Sequence, residues 1–354
     1  MDTPTPVPAA APQPPSWVVV GIDTGGTSNN ATVLSASGAF LVDRLVEVPS
    51  RVVDGPDIAV QAMEEALTTV LEVTGTLRSA VRAVGLDTPG PASAEGVISS
   101  RGATNFSAPE WWGYDVRTAL EDRLGLPVVY NNDGNAASLY AHHEHFGPLA
   151  NARSSVSAIV GTGLGGGVVE RGQVVRGAAG MAGELGHVSI PLEGLLEPGQ
   201  PVPQCNCGIA GDVESIASLT GIVKNLLPFW LTRHPGHPLA SMDIVTAAKK
   251  VRTLATEGDE LALQVFAQQA MAIGRLFTLV SNVTDPHAYF VGGGVVETEP
   301  AFREWFVGQV LAGTAFRKEQ REVSTIGVIP HLDMAGARGA AVAALAVAAR
   351  APGP

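Results

Sequence analysis

The arrangement that most limits how this chain can fold is a strand that breaks into a glycine-rich turn and resumes as a strand. It occurs twice. Residues 17–22 (WVVVGI) lead into DTGGT at 23–27 and then a second apolar run at 31–34. Residues 156–160 lead into GTGLGGG at 161–167 and leave through 167–170. Short β-branched runs bounded by turns read as buried strands. The repetition predicts two related α/β halves, each with a glycine turn between strands. A third strand at 40–46 is expected to complete an antiparallel meander in the first half.

Elsewhere strand and helix patterns alternate. A helix is expected at 58–72, where Ile58, Ala62, Ala66 and Val70 recur at helical spacing. A strand at 81–86 ends at DTPGP, a helix follows at 116–124, and a short strand at 128–130 ends at NNDGNAA. After residue 215 the chain reads mainly as helices, at 215–227, 242–255 and 258–282. A strand at 288–291 runs into GGG, and a strand at 325–329 precedes a helix at 337–348. With 354 residues the chain is long enough for two cores.

Glycines in such turns let backbone N–H groups approach phosphate oxygens with no Cβ in the way. Gly25, Gly26, Gly161 and Gly163 are so placed, and Thr24, Thr27 and Thr162 add hydroxyls. Asp23, at the strand end, suits a hydrated magnesium ion that bridges phosphates. Plain hairpin turns would use the same glycines, but two at matching places in two halves favour anion binding. Neither is a Walker loop, because no G-x-x-x-x-G-K-[ST] occurs, and GTGLGG runs from strand to strand instead of opening a helix.

Charge and cysteine usage exclude other classes. A formal net charge of −12 without any Lys/Arg cluster of five or more argues against nucleic acid as a partner. Cys205 and Cys207 are the two cysteines, too few for a disulfide framework, which favours a reduced intracellular setting. No run approaches the ~20 apolar residues of a membrane helix. Residues 1–16 have prolines at 4, 6, 8, 12, 14 and 15 and no Lys or Arg. They read as a disordered tail and not as a signal peptide. A cytoplasmic protein is expected, with no membrane partner.

The ordered set DTGGT (23–27), PGP (89–91), NNDGNAA (131–137), GTGLGGG (161–167), AGELGH (182–187), C-x-C-G (205–208), Glu214, GGG (292–294) and GARGAA (336–341) resembles the ROK family of repressors, open reading frames and kinases. The resemblance covers nearly the whole chain. It implies an α/β class with a two-domain actin-like ATPase (ribonuclease H-like) fold and an interdomain cleft. Residues 17–133 with 333–350 would form one domain and 134–332 the other. It further implies a kinase that moves the γ-phosphoryl group of ATP, with Mg2+, to a hydroxyl of a free hexose or a sugar-like cyclitol, the primary hydroxyl being favoured. A homodimer is expected by the same resemblance.

Residue roles follow from the matched motifs. Spacing alone favours Asp133 as an Asx-turn carboxylate capping a helix that starts near Asn135. The resemblance makes it the base that takes the proton of the attacking hydroxyl. Asn132, Glu184, His187 and Glu214 would be sugar contacts, as would Asn105 in TNFSAPEWW (104–112). Gly293 and Gly336 fall in turns that match the adenosine side. Kinases of this family typically hold a structural zinc with one His and three Cys. Here His187, Cys205 and Cys207 match, the third cysteine position is Asp212, and the connection from His187 to Cys205 is longer than usual. Zinc accepts carboxylate oxygen, so a His-Cys-Cys-Asp site and a pair of free reduced thiols both stay open.

Two other readings compete with the kinase. A repressor of this family would carry a helix-turn-helix domain ahead of the first glycine turn, and the 22 residues before Asp23 leave no room for one. A sugar-binding sensor without catalysis is disfavoured because Asp23, both glycine turns and Asp133 occur together. ATP and polyphosphate both stay open as phosphoryl donors.

Overall fold

The computed structural model describes residues 17–90, 92–99, 105–106 and 108–350. The expected tail at 1–16, Pro91 of the PGP turn, and Thr104 and Ser107 beside Asn105 lie outside the described residues. The first sheet contains β1 (Val18–Thr24), β2 (Ser28–Ser35), β3 (Val46–Pro49), β4 (Val81–Thr88) and β5 (Val128–Asn132), in the order β3-β2-β1-β4-β5. The second contains β6 (Ser154–Val160), β7 (Leu164–Glu170), β8 (Gln173–Val174), β9 (Ala288–Gly293) and β10 (Thr325–Val328), in the order β10-β9-β6-β7-β8. In each, three strands form an antiparallel meander and two more lie parallel to the first strand on its other side. The two halves inferred from the glycine turns therefore share one topology.

The helices of the first half are α1 (Pro56–Thr74) and α2 (Val116–Leu124), and α3 (Asp133–Phe146) leads from it into the second. The second half carries α4 (Glu214–Ala217), α5 (Leu219–Gly221), α6 (Leu227–Arg233), α7 (Ile244–Thr256), α8 (Glu260–Ser281), α9 (Pro300–Ala312) and α10 (Lys318–Val323). The chain then returns to the first sheet as α11 (Ala335–Ala348). α1 starts with a proline in its first turn, ends at a left-handed Gly75, and buries Met63, Leu67 and Val70 in the first core. α8 runs through the larger second core, burying Phe266, Ile273 and Phe277.

The return of α11 explains its alanine- and glycine-rich sequence. A Cβ at Gly21 of β1 would lie 2.0 Å from the Ala337 carbonyl oxygen, and one at Gly85 of β4 1.9 Å from that of Ala340. A Cβ at Gly339 would lie 1.8 Å from the Ala136 carbonyl oxygen in α3. α11 is thus pressed backbone to backbone between the first sheet and α3. α3 in turn packs on β7, so this helix pair bridges the two sheets.

Several expectations need correction. The third strand is Val46–Pro49 and not 40–46; Phe40 makes only a single bridge to Leu34. The helix expected at 215–227 is broken, because Ser218 leaves helical geometry (φ −126°, ψ 166°) and its hydroxyl caps Gly221 N–H while donating to Glu214 O. A π-helical stretch, Ile222–Leu226, then leads into α6, whose Pro228 has no N–H to continue the regular ladder. α9 and α10 were not foreseen, although Phe302, Phe306 and Val310 bury one face of α9 at a spacing of four. α3 begins at Asp133 itself, two residues before Asn135. Among the described residues no helix is long and apolar enough to cross a membrane.

Candidate active site

Three neighbouring parallel strands end side by side, and their last residues carry the polar groups. Register pairs Asp23 of β1 with Asp87 of β4, and Asp87 with Asn131 of β5. Asn132 caps α3, accepting a hydrogen bond from Asn135 N–H at 2.9 Å, and Asp133 occupies the first helical position. Asp133 Oδ1 accepts from Gly134 N–H at 2.8 Å. The capping role that spacing alone gave to Asp133 thus belongs to Asn132, and the Asp133 carboxylate is left facing the space between the sheets.

Across from these strand ends stand the second glycine turn, 161–163, and the segment 180–187. Together they enclose a cavity of about 770 Å³ lined by Asp23, Asp87, Asn132, Asp133, Gly161, Thr162, Gly163, Glu184, His187, Glu214 and Gly336, among others. Gly134 holds the two sides together: a Cβ there would lie 2.7 Å from the Gly166 carbonyl oxygen of β7. Glu214 braces the second turn, its Oε2 accepting from Leu164 N–H at 2.9 Å and its Oε1 from Cys205 Sγ at 3.5 Å.

Not every expected residue reaches this cavity. Thr24 is fully buried, with no partner for its hydroxyl among the described residues. Gly25, Gly26 and Thr27 form the first turn outside the cavity wall, and Asn105 packs against Gly26, where a Cβ would come 2.7 Å from Asn105 Oδ1. Gly293 (φ 95°) closes against the Val160 carbonyl oxygen, which a Cβ would approach to 2.0 Å. A second cavity of about 360 Å³ adjoins it, lined by Gly161, Leu219, Ile222, Lys249, Arg252, Phe266 and Gly294, among others. Gly161 belongs to both walls.

Two residues of the site were missed. Asp87 is 1% exposed, and its Oδ1 finds no hydrogen-bond partner among the described residues. The signal was present, since VGIDT at 20–24 recurs as VGLDT at 84–88. Arg176 donates to Tyr130 O (2.9 Å), Asn131 Oδ1 (3.0 Å) and Ala94 O (3.3 Å), tying the segment that leads to Glu184 to the end of β5.

Burial governs the charges. It pushes Asp23 up to about 6, against a hydrogen bond from Asn30 and with help from the Asp133 charge. Asp87 is raised well above the usual carboxylate range by burial and then by the charges of Asp23 and Asp133. Asp133, whose carboxylate is open to the cavity, is raised by the partial desolvation that the surrounding walls impose, partly offset by backbone N–H groups. Glu184 is raised by burial, with His187 opposing the rise and Asp133 and Glu214 adding to it.

Beside Glu184, ligand atoms of His187, Cys205, Cys207 and Asp212 all lie within 4.8 Å of one another. His187 Nδ1 is 3.2 Å from Asp212 Oδ2 and 3.9 Å from Cys205 Sγ, and Cys207 Sγ is 3.6 Å from the same carboxylate oxygen. Burial alone would raise Asp212, but hydrogen bonds from Cys205, Ser215 and His187 outweigh it and leave this carboxyl below its ordinary value. One nitrogen, two sulfurs and one oxygen in that span fit a tetrahedral zinc ion.

The profile of the ROK family matches residues 19–347. A glucokinase of Halalkalibacterium halodurans is 31% identical over 321 residues, covering 87% of this chain and 90% of that protein. An N-acetylmannosamine kinase of Shigella flexneri is 31% identical over 293 residues, covering 82% and 88%. The crystal structure of a ROK family glucokinase from Streptomyces griseus in complex with glucose and AMPPNP superposes with a TM-score of 0.63 at 26% identity, covering 92% of this chain and 99% of that one.

Proposed function

The chain belongs to the ROK family and is a sugar kinase of the actin-like ATPase fold, and from that premise we propose that it transfers the γ-phosphoryl group of ATP to a hydroxyl of a free hexose or a sugar-like cyclitol, with Asp133 as the base. The observation that carries the proposal is the place of Asp133 at the head of α3. It lines one cavity with Glu184 and His187 and with Asp23 and the turn 161–163.

In this reading the sugar lies against Glu184, His187 and the amide of Asn132. Glu214 holds the turn 161–163, whose backbone N–H groups receive the phosphates. The nucleoside occupies the adjoining cavity beside Gly294. The hydroxyl oxygen attacks the γ-phosphorus, its proton passes to the Asp133 carboxylate, and the bond to the bridging oxygen breaks as ADP leaves with the electron pair. Magnesium would accompany the nucleotide beside Asp23, where it neutralises phosphate charge. Zinc would be held by His187, Cys205, Cys207 and Asp212 and fix the ring of His187. Residues 17–133 with 333–350 and residues 134–332 are taken as the two domains, with the packing of α11 on β1 and β4 as support. Closure of the cleft would keep water from the phosphate. A cytoplasmic homodimer is the expected setting.

The test is ATP consumption over a panel of hexoses, N-acetylated hexosamines and cyclitols, with Asp133→Ala alongside. The variant should lose about 10²- to 10⁴-fold in kcat, the usual contribution of a positioned base, while sugar binding changes less than about tenfold. Full activity in the variant would remove Asp133 from this role. No turnover of any panel member by the wild type would favour the sensor reading.

A further inference from the structure

The floor of the cavity holds a carboxylate for which phosphoryl transfer supplies no task. Asp87, next to last in β4, lies directly across from Asp23 of β1, in register on an adjacent parallel strand. Its side chain is 1% exposed, its Oδ1 has no hydrogen-bond partner among the described residues, and it forms part of the cavity wall. A buried carboxylate with one oxygen unpartnered is disfavoured; like charges on Asp23 and Asp133 make it more so, and a backbone hydrogen bond from Thr88 offsets this only in part. Such a group in a folded protein points to something that balances it.

Gly336 shows where the two carboxylates converge. A Cβ there would lie 2.7 Å from Asp87 Oδ2 and 2.8 Å from Asp23 Oδ2. Oxygens from two strands therefore pack against the Gly336 backbone at the amino end of α11, which brings them close to each other where any side chain would have kept them apart. The described residues of the cavity wall include Asp23, Asp87, Asp133, Glu184 and Glu214 but no Lys or Arg. An entering phosphate chain would add to this negative charge. Small hard cations suit the arrangement, since magnesium is commonly held by one or two carboxylates and completes its shell with water and substrate phosphate.

We propose that Asp23 and Asp87 together hold a divalent cation, magnesium or manganese, on the cavity floor, and that they do so before any nucleotide arrives. The inference rests on the kinase reading only for the use of the cation, not for its binding. A shared proton between the two carboxylates is the competing occupant.

Mn2+ is the probe, titrated by electron paramagnetic resonance into the zinc-loaded full chain without nucleotide. The wild type should take up one Mn2+ per chain, and Asp87→Asn and Asp23→Asn should each weaken it at least about tenfold, the scale of losing a metal-supporting group. Mn2+ should also raise the melting temperature of the wild type but not of either variant. If Asp87→Asn does not fold, Asp87→Ser and Asp23→Asn carry the comparison. Wild-type affinity in the variants, or no Mn2+ uptake by the wild type, overturns the proposal and leaves the shared proton. Sugar phosphorylation with unaltered Mn2+ binding in Asp87→Asn sinks this inference alone. Mn2+ uptake by a wild type that phosphorylates no sugar, lost in both variants, sinks the kinase reading alone.

Discussion

Arg176 illustrates how much of this site depends on side chains that touch no substrate. Three carbonyl-type oxygens on two separate segments receive its guanidinium, so the approach to Glu184 and the strand leading to Asp133 are fixed against each other. We expect Arg176→Ala to lower kcat/KM by up to about 10²-fold, because a misplacement of ~1 Å is enough for that. Arg176→Lys should recover only part of it, since an ammonium lacks the planar fork. Steady-state kinetics on the best sugar of the panel measure both. The pH profile offers a separate check on Asp133. Partial desolvation raises this group, and it must be ionised to accept a proton. The acid limb of kcat/KM should therefore fall at a pH above the ordinary aspartate value, with rate lost as pH drops through it. At this scale the motifs DTGGT, NNDGNAA and AGELGH singled out Asp23, Asp133, Glu184 and His187, and the fold lines one cavity with all four. Asp87 was legible only through the repeat of VGIDT (20–24) as VGLDT (84–88), since a lone aspartate in DTPGP matches no functional motif; that the two aspartates are neighbours follows only once β1 and β4 pair in register.

Elements were legible where pattern and local chemistry agree. α2 spans Val116–Leu124 as its spacing predicts, with Asp115 as cap and Gly125 as stop. The break at Ser218 was not legible, because an apolar run of helical period gives no warning that a serine will cap in the middle of it. The close approach of α11 was equally hidden: glycines at 21, 85 and 339 are far apart in sequence and meet only in the folded chain. Gly339→Ala tests that contact. Its Cβ would overlap the Ala136 carbonyl oxygen, backbone that a rotamer change cannot relieve, so we expect a loss of about 3 kcal/mol, the upper end for an overpacked core. Urea unfolding at matched m-value gives the figure. A variant as stable as the wild type would mean that α11 and α3 separate readily.

The whole molecule carries a formal charge of −12, and the described wall of the cavity of about 770 Å³ adds no basic side chain but His187, with Lys249 and Arg252 confined to the adjoining one. A nucleotide with its magnesium still bears net negative charge, so the far field repels it. Association of the magnesium–nucleotide complex, followed by stopped flow, should quicken as ionic strength rises from about 0.01 M to 0.1 M, over which the Debye length shrinks from about 30 Å to 10 Å. A rate that instead falls with salt would reveal a positive approach path.

The position of α11 also bears on how the protein is made. During synthesis β1 and β4 leave the ribosome early, yet the helix that seats on Gly21 and Gly85 is encoded some 250 residues after β4. The half that is translated first is accordingly the half completed last. Its unfinished sheet face must wait, bare or shielded by a chaperone, until those intervening residues and α11 have been translated.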